Sequence, residues 1–297
     1  MSWIWLAISS YLIWAFVNLI DKILVSKYVK DPLILNLIDT FFGTLLVVLY
    51  IILFKQISLL PWMILSIVLI SGVIRFVSYW LYYKGMQNEE ASRVTMLMQL
   101  SPVFTLILAY FIVGERLGHL QIIAFILLLL GGIIASLHHE EKKLKISPVF
   151  WIMLLSSFGI SLSVVLLKFG FKINDFWTIM LWAMVGEMIA IIVLSITAKK
   201  NLFSSFNKLN ITAKITLLVG VVASSLAFIL NSKALETGPA SVISVLSVTN
   251  PLFVFILAII ASVFIPKIIK ENINFKTVLL KVLALIFIFS GLVLLSK

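Results

Sequence analysis

Of 297 residues, 62% are hydrophobic and only 12% charged, against about a quarter charged in a soluble domain, so a water-soluble fold would lack the polar surface to cover its core. The complete lack of cysteine excludes disulfides, iron–sulfur clusters and thiol catalysis. The net charge of +11 comes from lysines scattered among loops, with no basic domain or aromatic-basic motif, which argues against a nucleic-acid partner and for a lipid bilayer.

A helix crosses ~30 Å of hydrocarbon with about 20 apolar residues. The chain offers ten such runs: 3–21, 33–54, 61–83, 92–113, 118–137, 148–169, 175–198, 212–235, 239–264 and 276–296. They are too long for the alternating, roughly ten-residue strands of a membrane barrel. The first run begins at Ser2 with no basic residue before it and no small-x-small pattern after it, so it reads as a retained helix rather than a signal peptide. The expected fold is therefore an all-α integral membrane protein of ten transmembrane helices, multi-pass in the cell (plasma) membrane.

In chain order, the first span puts Trp14, Asn18 and then Asp21 or Lys22 on one face, and the second carries Asp39. The third carries Arg75, Tyr79 and Tyr82 at i, i+4 and i+7, hence on one face. Arg75 is the most informative of these, because an arginine near a span's centre costs ~2.5–3.5 kcal/mol on insertion scales and must face protein or water. Two readings stand for it. One is a structural ion pair with Asp39 or with Glu187 of the seventh span. The other is a cavity cation whose planar fork holds a substrate carboxylate or phosphate. Tyr82 reads either as a cavity residue or as an interfacial tyrosine.

The fourth span offers Thr95, Met98, Gln99 and Pro102, and Glu115 at its end reads as a helix-end or inter-helix anchor rather than a ligand. Residues 138–145 form the most polar linker. The eighth span brings Ser224, Phe228 and Asn231, and the ninth Ser241, Ser244, Ser247 and Pro251. Serine stripes often serve close helix packing; Asn18 and Gln99 are costlier in lipid and better site candidates. Each proline removes a backbone donor and is expected to kink or open its helix. The buried carboxylates Asp39 and Glu187 are candidates for exchanging protons in a coupled cycle.

The polar linker is also a seam between related halves, 1–139 and 140–297. A shift of 149 positions lays 81–109 on 230–258 and matches Lys84 with Lys233, Ser92 with Ser241, Pro102 with Pro251 and Phe104 with Phe253, besides several aliphatic identities. The same shift sets Arg75, Tyr79 and Tyr82 on Ser224, Phe228 and Asn231. A unit of five spans starts its second copy on the opposite face, so the expected architecture is two inverted five-helix repeats, a construction common among secondary transporters with midplane sites. Sixteen Lys and Arg residues fall on one face and six on the other, which puts the richer face in the cytoplasm and both termini outside.

The run Ala91-Ser92 through Leu100-Ser101-Pro102-Val103-Phe104, followed by Gly114-Glu115-Arg116-Leu117, Gln121 and Gly131-Gly132, resembles the EamA-type family of the drug/metabolite transporter superfamily. The resemblance implies ten helices in two inverted repeats, a central cavity lined by helices 1, 3, 4, 6, 8 and 9, and transport of amino acids, related metabolites or drugs. It also implies cytoplasmic termini, against the charge count.

Function is expected to be secondary transport of small organic solutes, amino acid-like, carboxylate-bearing or aromatic, or of drugs, by alternating access. Substrate contacts are expected from Arg75, Tyr79, Tyr82, Trp14, Asn18, Gln99, Phe228, Asn231 and Ser244. No P-loop, no metal-ligand spacing and no catalytic cluster is found, so no cofactor, metal or enzyme activity is expected. The alternative, an integral-membrane lipid-handling protein or enzyme, would need a carboxylate or histidine cluster at one membrane face.

Overall fold

The structure is a computed structural model and describes residues 2–88, 94, 97–136, 148–250, 253, 254, 257, 283, 286–291, 293 and 294. Among these the chain is helical, without strands. The helices are α1 (Ser2–Ile23, carried on by a π-helical turn, Leu24–Tyr28), α2 (Pro32–Phe54), α3 (Trp62–Asn88), α4 (Ser101–Leu108, with a π-helical turn Ala109–Val113), α5 (His119–Ser136), α6 (Pro148–Phe171), α7 (Phe176–Thr197), the short α8 (Leu202–Asn207), α9 (Ile211–Thr237) and α10 (Ala240–Leu246, closing in a 3-10 turn, Ser247–Thr249).

Six of these, among the described residues, are long and apolar enough to cross a membrane: Trp3–Tyr28, α2, α3, α6, α7 and α9. Ser101–Val113, His119–Gly131 and Ala240–Thr249 are shorter apolar helices. The burial pattern is that of a protein in lipid. Leu59, Trp62 and Phe111 are 89%, 80% and 78% exposed, while Asn36, Thr178 and Glu187 are fully buried. The protein is an all-helical, multi-pass membrane protein.

Polar caps mark where helices enter. Asp31 accepts from the N–H groups of Leu33 and Ile34 with Pro32 at the first position of α2, and Asp175 accepts from Trp177 and Thr178 at 3.0 Å. Asn210 caps α9 through the Ala213 N–H at 2.8 Å. Partial burial pushes the Asp31 carboxyl up, but hydrogen bonds from Lys200 and from Ile34 and Leu33 outweigh it and hold the group below the usual carboxylate range.

The elements before and after the polar linker interleave rather than sit side by side. α1 packs against α9, and α3 against α6 and α7; α2 lies against α7 and α9, and α4 against α6 and α10. The crossing of α3 and α7 is close because glycine lies on both sides. A Cβ at Gly72 would fall 2.0 Å from the Ala183 carbonyl oxygen, and one at Gly186 would fall 2.1 Å from that of Leu69. The seam at 137–147 and about half of the last two expected spans lie outside the described residues.

The fourth expected span is broken. Residues 97 and 98 are helical, Gln99 and Leu100 form a turn, and α4 restarts at Ser101 with Pro102 in its first turn. Pro102 thus starts a helix instead of kinking one, since it has no N–H to give the preceding turn. The Leu97 carbonyl is taken up by the Leu100 N–H and by the Ser157 hydroxyl of α6. In the ninth expected span the helix tightens to the 3-10 turn just ahead of Asn250; Pro251 lies outside the described residues.

Candidate functional site

Side chains from both halves enclose a cavity of about 250 Å³. The nine expected substrate contacts and the two expected coupling carboxylates line it: Trp14 and Asn18 of α1, Asp39 of α2, Arg75, Tyr79 and Tyr82 of α3, Gln99 in the turn before α4, Glu187 of α7, Phe228 and Asn231 of α9, and Ser244 of α10. Thr95 lies outside the described residues.

Arg75 is engaged on two sides. Its Nε pairs with Glu187 Oε1, and its Cζ lies 3.4 Å from the centroid of the Phe228 ring. The other Glu187 oxygen accepts from Thr44 Oγ1 of α2 at 2.9 Å. Glu187, fully buried, is thus held from α2 and α3 together. Of the two partners open to Arg75 on sequence, Glu187 makes the ion pair, and Asp39 faces Tyr83 instead.

That second acidic group is a cluster the sequence suggests only in part. Tyr83 Oη lies 3.3 Å from Asp21 Oδ1 and 3.4 Å from Asp39 Oδ2. A phenol carries one proton, so it can donate to only one of the two carboxylates at a time. Among the described residues no other donor meets either one. Tyr82, buried rather than interfacial, directs its hydroxyl to Asn18 Oδ1 at 3.4 Å.

Asn18 continues a chain of amides across the halves. Its Nδ2 donates to Asn250 Oδ1 at 2.9 Å, Asn250 Nδ2 donates to the Tyr11 carbonyl at 3.0 Å, and Tyr11 Oη donates to the Ile243 carbonyl at 2.9 Å. Asn231 Nδ2 reaches Ser10 Oγ at 3.2 Å. Ser244 turns its hydroxyl to the Ser241 carbonyl, a packing contact within its own helix. Sequence reasoning passed over Thr44, Tyr83, Tyr11 and Asn250. Tyr83 was within reach, since it stands at i+8 from Arg75 and i+4 from Tyr79, on the same helical face.

Glu115 is an anchor between helices. It accepts from the Ala240 and Ser241 N–H groups at 2.7 and 3.2 Å and from the Ser241 hydroxyl at 2.9 Å, capping α10. At the same corner buried Lys168 donates to the carbonyls of Leu235, Glu236 and Gly238, the open end of α9. Gly114 before the glutamate has φ +69, a left-handed turn that glycine takes at no steric cost. Gln121 accepts from the Gly118 N–H at 3.0 Å and closes the start of α5.

The Gly-Glu-Arg-Leu segment therefore has a structural office in this fold, which bears on what the sequence is related to. Residues 1–137 match the EamA-like transporter family. Over that stretch, a little under half of its length, the chain is similar to EamA domains. The match places the EamA segment on α1–α5, the part that supplies Asn18, Asp39, Arg75 and the tyrosines, and the family is one of transporters rather than enzymes. A solved structure, described only as a crystal structure of a protein, superposes on 99% of this chain and 95% of its own with a TM-score of 0.74 at 12% identity, so the fold is shared across the whole length, beyond the EamA segment. No curated protein matches the sequence.

Proposed function

We propose that the chain is a secondary transporter of the cell membrane, moving small organic solutes of amino-acid size, aromatic metabolites or drugs, by alternating access between two inverted five-helix halves, 1–139 and 140–297. The observation that carries this reading is one cavity built from both halves, its largely apolar wall set with charged and amide side chains, and placed where the helices are apolar on the outside. At about 250 Å³ it lies just below the ~300–1,000 Å³ of ordinary ligand pockets, which suits a small solute.

The packing supports a two-fold relation between the halves. A two-fold exchange of halves turns the α1–α9 contact into α6–α3, and both are among the most extensive in the fold. Backbone irregularities at Gln99–Leu100 and Ser247–Thr249 both border the cavity, as in carriers whose broken helices frame a midplane site. In this reading Trp14, Tyr79, Tyr82 and Phe228 supply ring surfaces, and Asn18, Gln99, Asn231 and Ser244 supply hydrogen-bonding groups. Arg75 holds the wall through Glu187. Asp39 and Glu187 are the carboxylates placed to couple transport to protons.

The test is counterflow in proteoliposomes with a panel of radiolabelled amino acids, aromatic acids and amines. Saturable uptake accelerated by the same solute inside the vesicle is the expected result. Flux that neither saturates nor responds to solute on the other side would remove the carrier reading.

A further inference from the structure

The charge on the cavity wall narrows the solute class. Four charged residues line the cavity among those described: Asp21, Asp39, Glu187 and Arg75. Glu187 and Arg75 neutralise each other, and Phe228 covers one face of the guanidinium. Arg75 is therefore already used, and an incoming carboxylate would have to break an ion pair that is mostly out of water.

Asp21 and Asp39 remain, sharing the single Tyr83 hydroxyl. A carboxylate keeps about four acceptor sites, and one proton between two such groups leaves most of them unmet. Uncompensated carboxylates within a membrane are costly, so this end of the cavity attracts positive charge and repels a further anion. The walls beside it are aromatic: Tyr79 and Tyr82 lie with ring centroids 6.1 Å apart, and Trp14 also faces the cavity. Ring faces favour a cation placed over them.

Resting on the carrier reading above, we infer that the cavity takes solutes bearing a protonated amine, with Asp21 and Asp39 as counter-charges and Trp14, Tyr79 and Tyr82 as the walls around the ammonium group. Tyr83 bridges the two carboxylates when the cavity is empty and gives way to the ammonium donors when it is filled. An acid of the same size brings a further carboxylate and no ammonium donor, and is excluded.

The experiment uses the full-length protein and a pair matched in ring and linker, 2-phenylethylamine against 3-phenylpropanoate. Binding is read as the ligand concentration that half-raises the thermal midpoint in detergent, and transport as counterflow in proteoliposomes. The amine is expected to bind at least about ten-fold tighter than the acid, the ratio that one charge-assisted contact provides. Asp21→Asn and Asp39→Asn are each expected to bring that ratio towards one. Equal binding of acid and amine by the unaltered protein overturns the inference, and this comparison decides it even where an asparagine variant does not fold. So does a midpoint raised equally by sodium chloride alone, which assigns the carboxylates to an inorganic cation. Amine-selective stabilisation without accelerated exchange keeps the specificity and sinks the carrier. Accelerated exchange of the acid in preference to the amine does the reverse.

Discussion

Arg75 shows how far a single residue can be reasoned about. Its cost in a span requires a partner, and sequence places two carboxylates at similar depth; which one it meets is decided by the α3–α7 crossing, a tertiary fact. The pair is mostly out of water, with side-chain exposures of 21% and 1%. Removing one member of such a pair leaves the other charge stranded, at about 3–5 kcal/mol, whereas removing both can be nearly neutral. Glu187→Gln alone is accordingly expected to lower the thermal midpoint in detergent sharply, and the double change Arg75→Gln with Glu187→Gln to lower it less. A double variant as unstable as the sum of the singles would show that the two act independently. Thr44→Val removes a neutral donor to the same carboxylate and is expected to cost about 1–3 kcal/mol, because the acceptor stays buried.

At the scale of elements, the sequence is most legible where a span is simply apolar and about 20 residues long. The expected 33–54, 148–169, 175–198 and 212–235 lie within a few residues of α2, α6, α7 and α9. It is least legible where backbone geometry depends on a neighbour. Pro102 signals an irregularity, but the placing of the turn at Gln99–Leu100 rests on Ser157 taking the Leu97 carbonyl. The α3–α7 crossing is equally silent in sequence, since Gly72 and Gly186 look like any other glycines. Their tightness makes a firm prediction. Gly72→Ala and Gly186→Ala set a methyl against backbone that cannot move without parting the helices, for about 1–3 kcal/mol or more each. Gly43→Ala meets the Ser225 hydroxyl at 3.3 Å and Val221 Cγ1 at 4.0 Å, both side-chain atoms, and is expected to be mild. Thermal unfolding of the three in one detergent ranks them; a Gly43 variant as damaging as the others would show that the α3–α7 approach is not special.

Helix α2 carries a titratable start. The Asp31 carboxyl, held low by Lys200 and two backbone N–H groups, contributes stability that is present above its unfolded value of about 3.9 and is lost as pH falls through its lower folded value. The cap is thus constant from pH 5 to 8 and weakens only in acid. Asp31→Ala is expected to cost about 0.5–2 kcal/mol at pH 7 and to matter less as pH is lowered towards 3, checked by thermal midpoints across that range.

For the whole molecule, two polar contacts join the halves at positions separated by α2, α3 and the fourth span. Asp31 meets Lys200 at 2.7 Å, and Glu115 meets Ser241 Oγ at 2.9 Å. Three crossings separate Asp31 from Glu115 in the proposed topology, which sets these contacts at opposite membrane faces, one on either side of the cavity. Alternating access requires one end to part while the other holds. The chain has no cysteine, so pairs introduced at Asp31 and Lys200, or at Glu115 and Ser241, have no competing thiol. Bridging either pair with a short reducible thiol-specific linker is expected to stop counterflow, and reduction to restore it, while solute binding survives in at least one bridged form. The same thiols report sidedness by labelling with an impermeant reagent, and the lysine count expects the 31/200 pair on the cytoplasmic face. A rigid pore would respond differently, because tying an end that never opens or closes changes nothing. Full counterflow with both ends bridged at once would therefore mean that solute crosses without the halves moving, and a carrier built from two rocking units could not survive that result.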